Sequence, residues 1–194
     1  MHEIDCRNIP CPGPVIRAKK AIEGAGGERV RIILDAGAPR ENVTRFATSR
    51  GYRVEEEQLA DGYALTIAAG AVQMPAVPRS PASGSAVVLV ASDRLGNGPD
   101  DLGKLLMKNF LISLLEVAEP PEKMFFLNSG VLLTVNGAET LEALVKLADA
   151  GVEIMSCGVC LDFFSVRNEL AVGSVTNMLA IAESMLQGNA VIRL

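Results

Sequence analysis

The stretch Cys11-Pro12-Gly13-Pro14 marks the start of the first helix, and the amino-terminal half of the chain is organised around it. Proline is favoured in the first turn of a helix because its missing N–H would have no partner there and its φ is already helical. We therefore predict a helix from about Pro12 to Glu23. Val15, Ala18 and Ile22 fall on one face of this helix and should turn toward a core.

Strand and helix patterns on both sides of this helix predict the order β-α-β-α-β-β. A strand-like entry precedes the helix, and alternating or β-rich residues indicate further strands. The later elements are a strand at 29–34, a helix at 40–50, and two strands at 52–58 and 63–68 joined by the turn Asp61-Gly62. Two helices can cover one face of a four-stranded sheet, so residues 1–70 are predicted to form a two-layer α/β sandwich.

The second half of the chain has the pattern of an open parallel sheet. Residues 71–85 contain three prolines and many small residues, which predicts a linker before a second domain at 86–194. Apolar strands alternate there with helices; the strands are expected at 87–90, 124–127, 152–156 and 190–194, and the helices at 100–117, 139–150 and 176–187. This alternation predicts three layers, with helices on both faces of the sheet. The helix at 100–117 is apolar over much of its circumference, which indicates deep burial first and a subunit interface second.

Composition narrows the functional classes. Hydrophobic residues make up 49% of the 194 residues and charged residues 21%, which supports folded cores. The net charge of -5 and an aromatic content of 4% argue against nucleic-acid binding. A signal peptide and a stretch of ~20 apolar residues are both missing from the sequence, so a cytoplasmic protein without membrane contact is expected. Its four cysteines would then mostly remain thiols.

Cys11 is the first candidate for reactive chemistry. At the N-cap of the predicted helix it would face free N–H groups and the positive end of the helix dipole, which favours a thiolate. Arg7 and Arg17 would add positive charge nearby. Such a thiolate can attack a sulfane sulfur and hold it as a persulfide. Cysteine is not a preferred N-cap residue, so a purely structural role is disfavoured. Cys6 alternates with Ile4 in the strand-like segment and is predicted to be buried and inert.

The segment Asp5-Cys6-Arg7-Asn8-Ile9-Pro10-Cys11-Pro12-Gly13-Pro14 resembles the amino-terminal signature of the TusA (SirA-like) sulfur-carrier family, an Asp-x-Arg stretch followed by Cys-Pro-x-Pro. The resemblance extends over about residues 3–69. It implies that Cys11 carries a persulfide and that Asp5, Arg7, Pro12 and Pro14 support it. Asn8 stands where the family has glycine, and asparagine tolerates a similar backbone conformation.

Cys157-Gly158-Val159-Cys160 is the second candidate site. It follows a predicted strand, and ligand sites of parallel sheets form beyond the carboxyl ends of strands. Asp93, Asn128 and Asp162 follow strand ends or the thiols and could supply polar contacts. The pair is either a dithiol that accepts sulfur or forms a disulfide, half of a zinc site, or two buried cysteines without function. A zinc site would require Cys6 and Cys11 as further ligands and is disfavoured, and the structural interpretation weighs more for Cys160 than for Cys157. No metal or cofactor is predicted.

The second half resembles DsrE-like domains, in particular the carboxyl-terminal domain of YedF-type proteins. The resemblance is carried by residues 92–98, 102–108, 127–131 and 157–162. It implies oligomers formed through the DsrE-like domain, and the trafficking of sulfur or selenium. The whole chain is thus expected to be a sulfurtransferase-like carrier of the YedF type.

Two functional hypotheses follow. In the first, a cysteine desulfurase or another persulfide donor loads Cys11, and the sulfur or selenium passes to the Cys157/Cys160 edge or to an acceptor protein. In the second, Cys157 and Cys160 form a redox or regulatory dithiol without sulfur transfer.

Overall fold

A computed structural model describes residues 2–10, 12–68, 86–188 and 190–194. The chain divides into two compact units, residues 1–80 and 81–194. The predicted linker at 71–85 lies outside the described residues, and so does Cys11.

The first unit has the predicted β-α-β-α-β-β order. Its elements are β1 (His2–Asp5), α1 (Gly13–Gly24), β2 (Val30–Leu34), α2 (Ala38–Ser49), β3 (Arg53–Leu59) and β4 (Gly62–Ala68). The four strands form one mixed sheet in the order β1-β2-β4-β3. The pair β1/β2 is parallel, because α1 crosses over between these strands, whereas β2/β4 and β3/β4 are antiparallel.

The core of the first unit lies between its sheet and its two helices. Alternate residues of β2 are buried, as a period of two requires when one face of a strand is covered. The same cluster takes in side chains from both helices; its members include Ala18, Ile22, Val30, Ile32, Leu34, Val43, Ala47, Leu65 and Ile67. The predicted two-layer sandwich is confirmed.

Most boundaries in this unit differ from the prediction by one or two residues, and two of the differences have a local structural cause. Helix α1 begins at Gly13 rather than Pro12, because the Pro12 carbonyl accepts the first helical hydrogen bonds, from Val15 N at 3.1 Å and Ile16 N at 3.2 Å. Gly62 belongs to β4 rather than to the turn. Its φ of +149° and a Cβ position only 2.4 Å from the Leu34 carbonyl oxygen exclude a side chain there.

The second unit is built on a five-stranded, wholly parallel sheet in the order β8-β7-β6-β5-β9. Its strands are β5 (Ala86–Val90), β6 (Lys123–Phe126), β7 (Glu153–Cys157), β8 (Ser174–Thr176) and β9 (Ala190–Arg193). Its α-helices are α3 (Asp100–Leu114), α4 (Leu141–Asp149), α5 (Gly158–Phe163) and α6 (Met178–Gln187), and two short 3-10 helices occupy Asn128–Leu133 and Arg167–Glu169.

Successive strand residues point to opposite faces of this sheet and enter two separate cores. Val88, Met124 and Phe126 pack with residues of α3, α4 and α5 on one face. Val87, Leu89 and Phe125 pack with Ile181 of α6 on the other. Helices therefore cover both faces, which confirms the predicted three-layer arrangement and explains the continuously apolar strand at 87–90.

Three features of the second unit were not predicted. Helix α5 and strand β8 are too short to give a periodic pattern, and β7 runs through Cys157 instead of ending at Ser156. Leu102, Leu105 and Leu106 of α3 are 48, 52 and 40% exposed, so the expected deep burial of this helix is wrong for one of its faces.

Among the helices of the described ranges, none combines the length and apolar character needed to cross a bilayer.

Gly130 should be intolerant of a side chain because of a close backbone approach. A Cβ there would lie 2.3 Å from the carbonyl oxygen of Val90, which is backbone and cannot swing away. We expect Gly130→Ala to lower the free energy of unfolding of the second unit by about 1 to 3 kcal/mol, the usual cost of overpacking. Urea denaturation followed by circular dichroism measures the change.

Gly98→Ala is the matched control, since a Cβ at Gly98 meets nothing within 4 Å. Equal unfolding free energies for the two variants would contradict the close approach.

Candidate functional site

Cys6 is fully buried in the core of the first unit. Its backbone N–H donates to the Ile33 carbonyl at 2.8 Å, which extends the pairing of β1 with β2 by one residue. Burial raises the pKa of the thiol, and a positive Arg17 only partly offsets that effect. The predicted burial of Cys6 is confirmed. A thiol in this position is inaccessible to persulfide donors and to metal ions.

Asp5 and Arg7 form a rigid ion pair directly before the Cys11 segment. The Asp5 carboxylate accepts hydrogen bonds from Arg7 N at 3.0 Å, Nε at 3.1 Å and Nη2 at 2.5 Å. These bonds lower the pKa of Asp5 to about 2, so the carboxylate stays charged at any physiological pH. Arg7 also pairs with Asp61. Two carboxylates thus offset the charge of Arg7. The prediction that Arg7 adds positive charge near the Cys11 thiolate does not include these two partners.

Asn8 turns the chain between β1 and α1. Its φ of +58° lies in the left-handed region, which confirms that asparagine takes the conformation expected where related sequences have glycine. Its N–H donates to Asp35 Oδ2 at 2.7 Å. Together with the Asp5–Arg7 pair, this bond fixes the course of the chain up to Pro10.

The flanks of Cys11 are described, although Cys11 itself is not. Gly13 N donates to the Pro10 carbonyl at 2.9 Å. Pro12 is the N-cap residue of α1, and Pro14 is buried in its first turn. The expectation that Cys11 would be the N-cap is therefore wrong by one position, because the first helical carbonyl is that of Pro12.

Three loops of the second unit meet at the carboxyl edge of the parallel sheet, as their positions after neighbouring strands predict. Asp93 accepts a hydrogen bond from Ser129 Oγ at 3.0 Å, and its backbone N–H donates to the same oxygen at 3.1 Å. Asn128 N donates to Cys160 Sγ at 3.1 Å. The predicted polar contact from Asn128 to a thiol thus exists, but through the backbone N–H of Asn128. Asp93 contacts Ser129, the residue after Asn128.

The two thiols at this edge have different surroundings. Cys157 ends β7 and is only 2% exposed, within the core cluster that packs against α6. Cys160 lies one helical turn on, in α5, packs against the same cluster and is partly exposed. The prediction that a buried structural role fits Cys160 better than Cys157 does not agree with the burial, because Cys157 is the more buried of the two.

Several interactions act on the ionisation of Cys160. Burial raises the pKa of its thiol, the Asn128 N–H acts in the opposite direction, and the neighbouring Cys157 thiol raises it further. The net direction is upward, so Cys160 is mainly a neutral thiol near pH 7. Reaction there depends on a well-placed electrophile rather than on a standing thiolate.

Arg167 was not identified from the sequence. Its guanidinium donates to both carboxylate oxygens of Asp162, at 2.5 and 2.7 Å, and to the Gly158 carbonyl at 3.1 Å. The pairing lowers the pKa of Asp162 and ties the 3-10 helix at 167–169 to the start of α5. Asp162 therefore supports the Cys157-Gly158-Val159-Cys160 segment through Arg167. The guanidinium also lies so close to Gly158 that a Cβ there would approach it to 2.8 Å.

Four exposed apolar side chains lie on the helices that follow β7 and β8. Val159 and Phe163 lie one turn apart on α5 and are 78 and 81% exposed. Met178 and Leu179 start α6, the helix that packs on the other face of the sheet, and are also exposed. We call these four residues the apolar rim. Exposed apolar side chains of this kind can serve to dock another protein.

A zinc site that combines Cys6 with the Cys157/Cys160 pair does not fit the burial of Cys6 within its own core. In the described part of the chain, no three His, Cys, Asp or Glu side chains lie close enough together to hold a metal ion.

Comparison with known proteins relates the first unit to sulfur carriers. The family profile described as sulfurtransferase TusA matches residues 2–68. A protein of Methanocaldococcus jannaschii, provisionally named as a sulfur carrier, is 38% identical over 55 residues, which are 28% of this chain and 73% of that protein. A protein of Archaeoglobus fulgidus with the same provisional name is 38% identical over 64 residues, 32% of this chain and 83% of that one.

Two solved structures are also similar. The SirA-like protein of Desulfitobacterium hafniense is 38% identical, with a TM-score of 0.34, and the match covers 36% of this chain and 99% of that one. The ychN protein of E. coli is 16% identical, with a TM-score of 0.46, and the match covers 57% of this chain and 99% of that one.

Removal of the Cys157 thiol should make Cys160 more acidic. The neighbouring Cys157 thiol contributes to the raised pKa of Cys160, so Cys157→Ala should lower that pKa. Iodoacetamide alkylates the thiolate, so the rate of Cys160 alkylation increases with pH. Peptide mass spectrometry should show that this increase begins at a lower pH in the variant than in the wild type. Cys6→Ala, a change in the other unit, should leave the profile unaltered. An unchanged or upward-shifted profile in Cys157→Ala would contradict the coupling.

Proposed function

The chain belongs to the TusA sulfurtransferase family through residues 2–68, and we propose that it carries sulfur as a persulfide on Cys11 and delivers it to the Cys157/Cys160 edge or to an acceptor protein. The observation that supports this most is the match of residues 2–68, which contain the Cys-Pro-x-Pro stretch, to the sulfurtransferase TusA family profile. Selenium, which has similar chemistry, is an alternative cargo.

The loading step is a thiol attack on a donor persulfide. The Cys11 thiolate attacks the outer sulfur of the donor, the donor's S–S bond breaks, and the donor leaves as a thiolate. Cys11 then holds the transferred sulfur as a persulfide, so no net oxidation occurs. Cys11 precedes the N-cap of the 12-residue helix α1 by one position, and in this proposal the helix dipole stabilises both the thiolate and the persulfide anion.

Asp5, Arg7 and Asn8 hold the segment that leads to Cys11. Since the charge of Arg7 is balanced by Asp5 and Asp61, its proposed role is to position the segment rather than to activate the thiol. Pro12 and Pro14 restrict the backbone on the other side.

The second unit is proposed to be a DsrE-like domain, which would make the whole chain a cytoplasmic protein of the YedF type. Its proposed partners are a cysteine desulfurase as donor and an acceptor protein for sulfur or selenium. The exposed Leu102, Leu105 and Leu106 of α3 would fit a surface between subunits of a homo-oligomer.

A redox function without sulfur transfer is the second candidate, and the packing of Cys157 and Cys160 against one apolar cluster favours it. Such a module would cycle between dithiol and disulfide, and Cys11 would be dispensable. Titration against glutathione separates the two candidates. A pair that stays reduced across the cytosolic range of potentials excludes the redox module.

Cys11 should be the loading site. After incubation with a cysteine desulfurase and cysteine, intact-protein mass spectrometry should find one added sulfur on the wild type and on Cys6→Ala. Cys11→Ala should lose this first modification. Cys6→Ala is the matched control because that thiol is fully buried. Loading that persists in Cys11→Ala, or a wild type that takes up no sulfur, would contradict the proposal.

A further inference from the structure

The second unit has two thiols of unequal access held together at one sheet edge. Cys160 is partly exposed and receives a hydrogen bond from Asn128 N, whereas Cys157 is 2% exposed and lies beneath it in the core. Only Cys160 can meet a persulfide presented from outside without local unfolding. Cys157 can react only with a group already bound to Cys160.

We infer that Cys160 accepts the sulfur and that Cys157 then releases it as hydrosulfide by closing a Cys157–Cys160 disulfide. This rests on the proposed function, in which a persulfide carrier delivers the sulfur. In this order the second cysteine of the Cys-x-x-Cys pair attacks the incoming persulfide and the first cysteine reacts afterwards. The order follows from the burial of Cys157.

The two steps balance. First, the Cys160 thiolate attacks the outer sulfur of the carrier persulfide, the carrier leaves as a thiolate, and Cys160 holds a persulfide. Second, the Cys157 thiolate attacks the inner sulfur of Cys160, the bond to the outer sulfur breaks, and hydrosulfide leaves with that electron pair. The transferred sulfur is thereby reduced, and the two cysteines are oxidised to a disulfide. A dithiol reductant returns the pair to its starting state.

The surroundings fit this order. The Asn128 N–H stabilises negative charge on Cys160 Sγ, both when it attacks and when a second sulfur is attached. Burial keeps the pKa of Cys160 high, so the thiol is protected from casual oxidation near pH 7. The apolar rim of Val159, Phe163, Met178 and Leu179 offers a surface for a protein carrier.

The tie between Arg167, Asp162 and the Gly158 carbonyl fixes the turn between the two cysteines. Gly158 itself is closely surrounded, since a Cβ there would lie 2.8 Å from the guanidinium and 3.0 Å from Val175 Cγ1. Arg167 thus holds the start of α5 against the end of β7, and both cysteines pack in the same apolar cluster.

The test uses the full chain and two single variants, Cys157→Ser and Cys160→Ser. Each is loaded with desulfurase and cysteine, and loading of Cys11 is verified by peptide mass spectrometry before the pair is examined. In Cys157→Ser we expect one added sulfur to accumulate on Cys160 and hydrosulfide release to fall to background. In Cys160→Ser we expect Cys157 to stay unmodified. The wild type should gain one disulfide for each hydrosulfide released.

Two outcomes overturn the inference. One is a persulfide on Cys157 in Cys160→Ser, and the other is an unmodified Cys160 in Cys157→Ser while Cys11 is loaded. If Cys11 does not load, the proposed function fails, and the inference is tested separately. Glutathione persulfide is then supplied to Cys11→Ala at alkaline pH, where Cys160 ionises, with and without the two serine substitutions. A persulfide on Cys160 when Cys157 is replaced by serine supports the order of the thiols. A persulfide on Cys157 when Cys160 is replaced by serine overturns it.

Discussion

Parallel pairing of β5, β6 and β7 is the constraint on which the second site depends. Because all three strands run in the same direction, the loop after β5, the 3-10 helix after β6 and the two thiols, Cys157 at the end of β7 and Cys160 just beyond it, reach the same edge. Two contacts then lock the edge: Ser129 to Asp93, and Asn128 N to Cys160. Gly130 permits them, since a side chain there would strike the Val90 carbonyl.

Much of this arrangement could be predicted from the sequence. Continuous apolar runs gave the buried strands, proline and glycine gave the helix starts and turns, and the spacing of the strands gave the shared edge. Asn8 shows how resemblance and residue chemistry combine, because its left-handed φ is expected where the resembling family has glycine and asparagine tolerates that conformation. The choice of Cys11 and of the Cys157/Cys160 pair as candidate thiols rests on their positions at a predicted helix start and a predicted strand end, and it stays a prediction.

The remaining features depend on packing that sequence patterns do not express. Whether Cys157 or Cys160 faces solvent depends on where β7 ends and α5 begins, a difference of a single residue that turns one thiol into the core. Arg167 acts through a 3-10 helix of three residues, which has no periodic signal. The pairing of Arg7 with Asp61 joins residues 54 positions apart, and nothing in the local sequence indicates it.

The central claim is that sulfur loaded on Cys11 reaches Cys160. A single-turnover chase tests it directly: the wild type is loaded with one equivalent of isotopically labelled persulfide sulfur, freed from the donor, and followed over time by peptide mass spectrometry. Our account predicts that the label leaves Cys11 and is recovered as hydrosulfide while the Cys157/Cys160 pair becomes a disulfide. A label that stays on Cys11 while the pair remains reduced would contradict it.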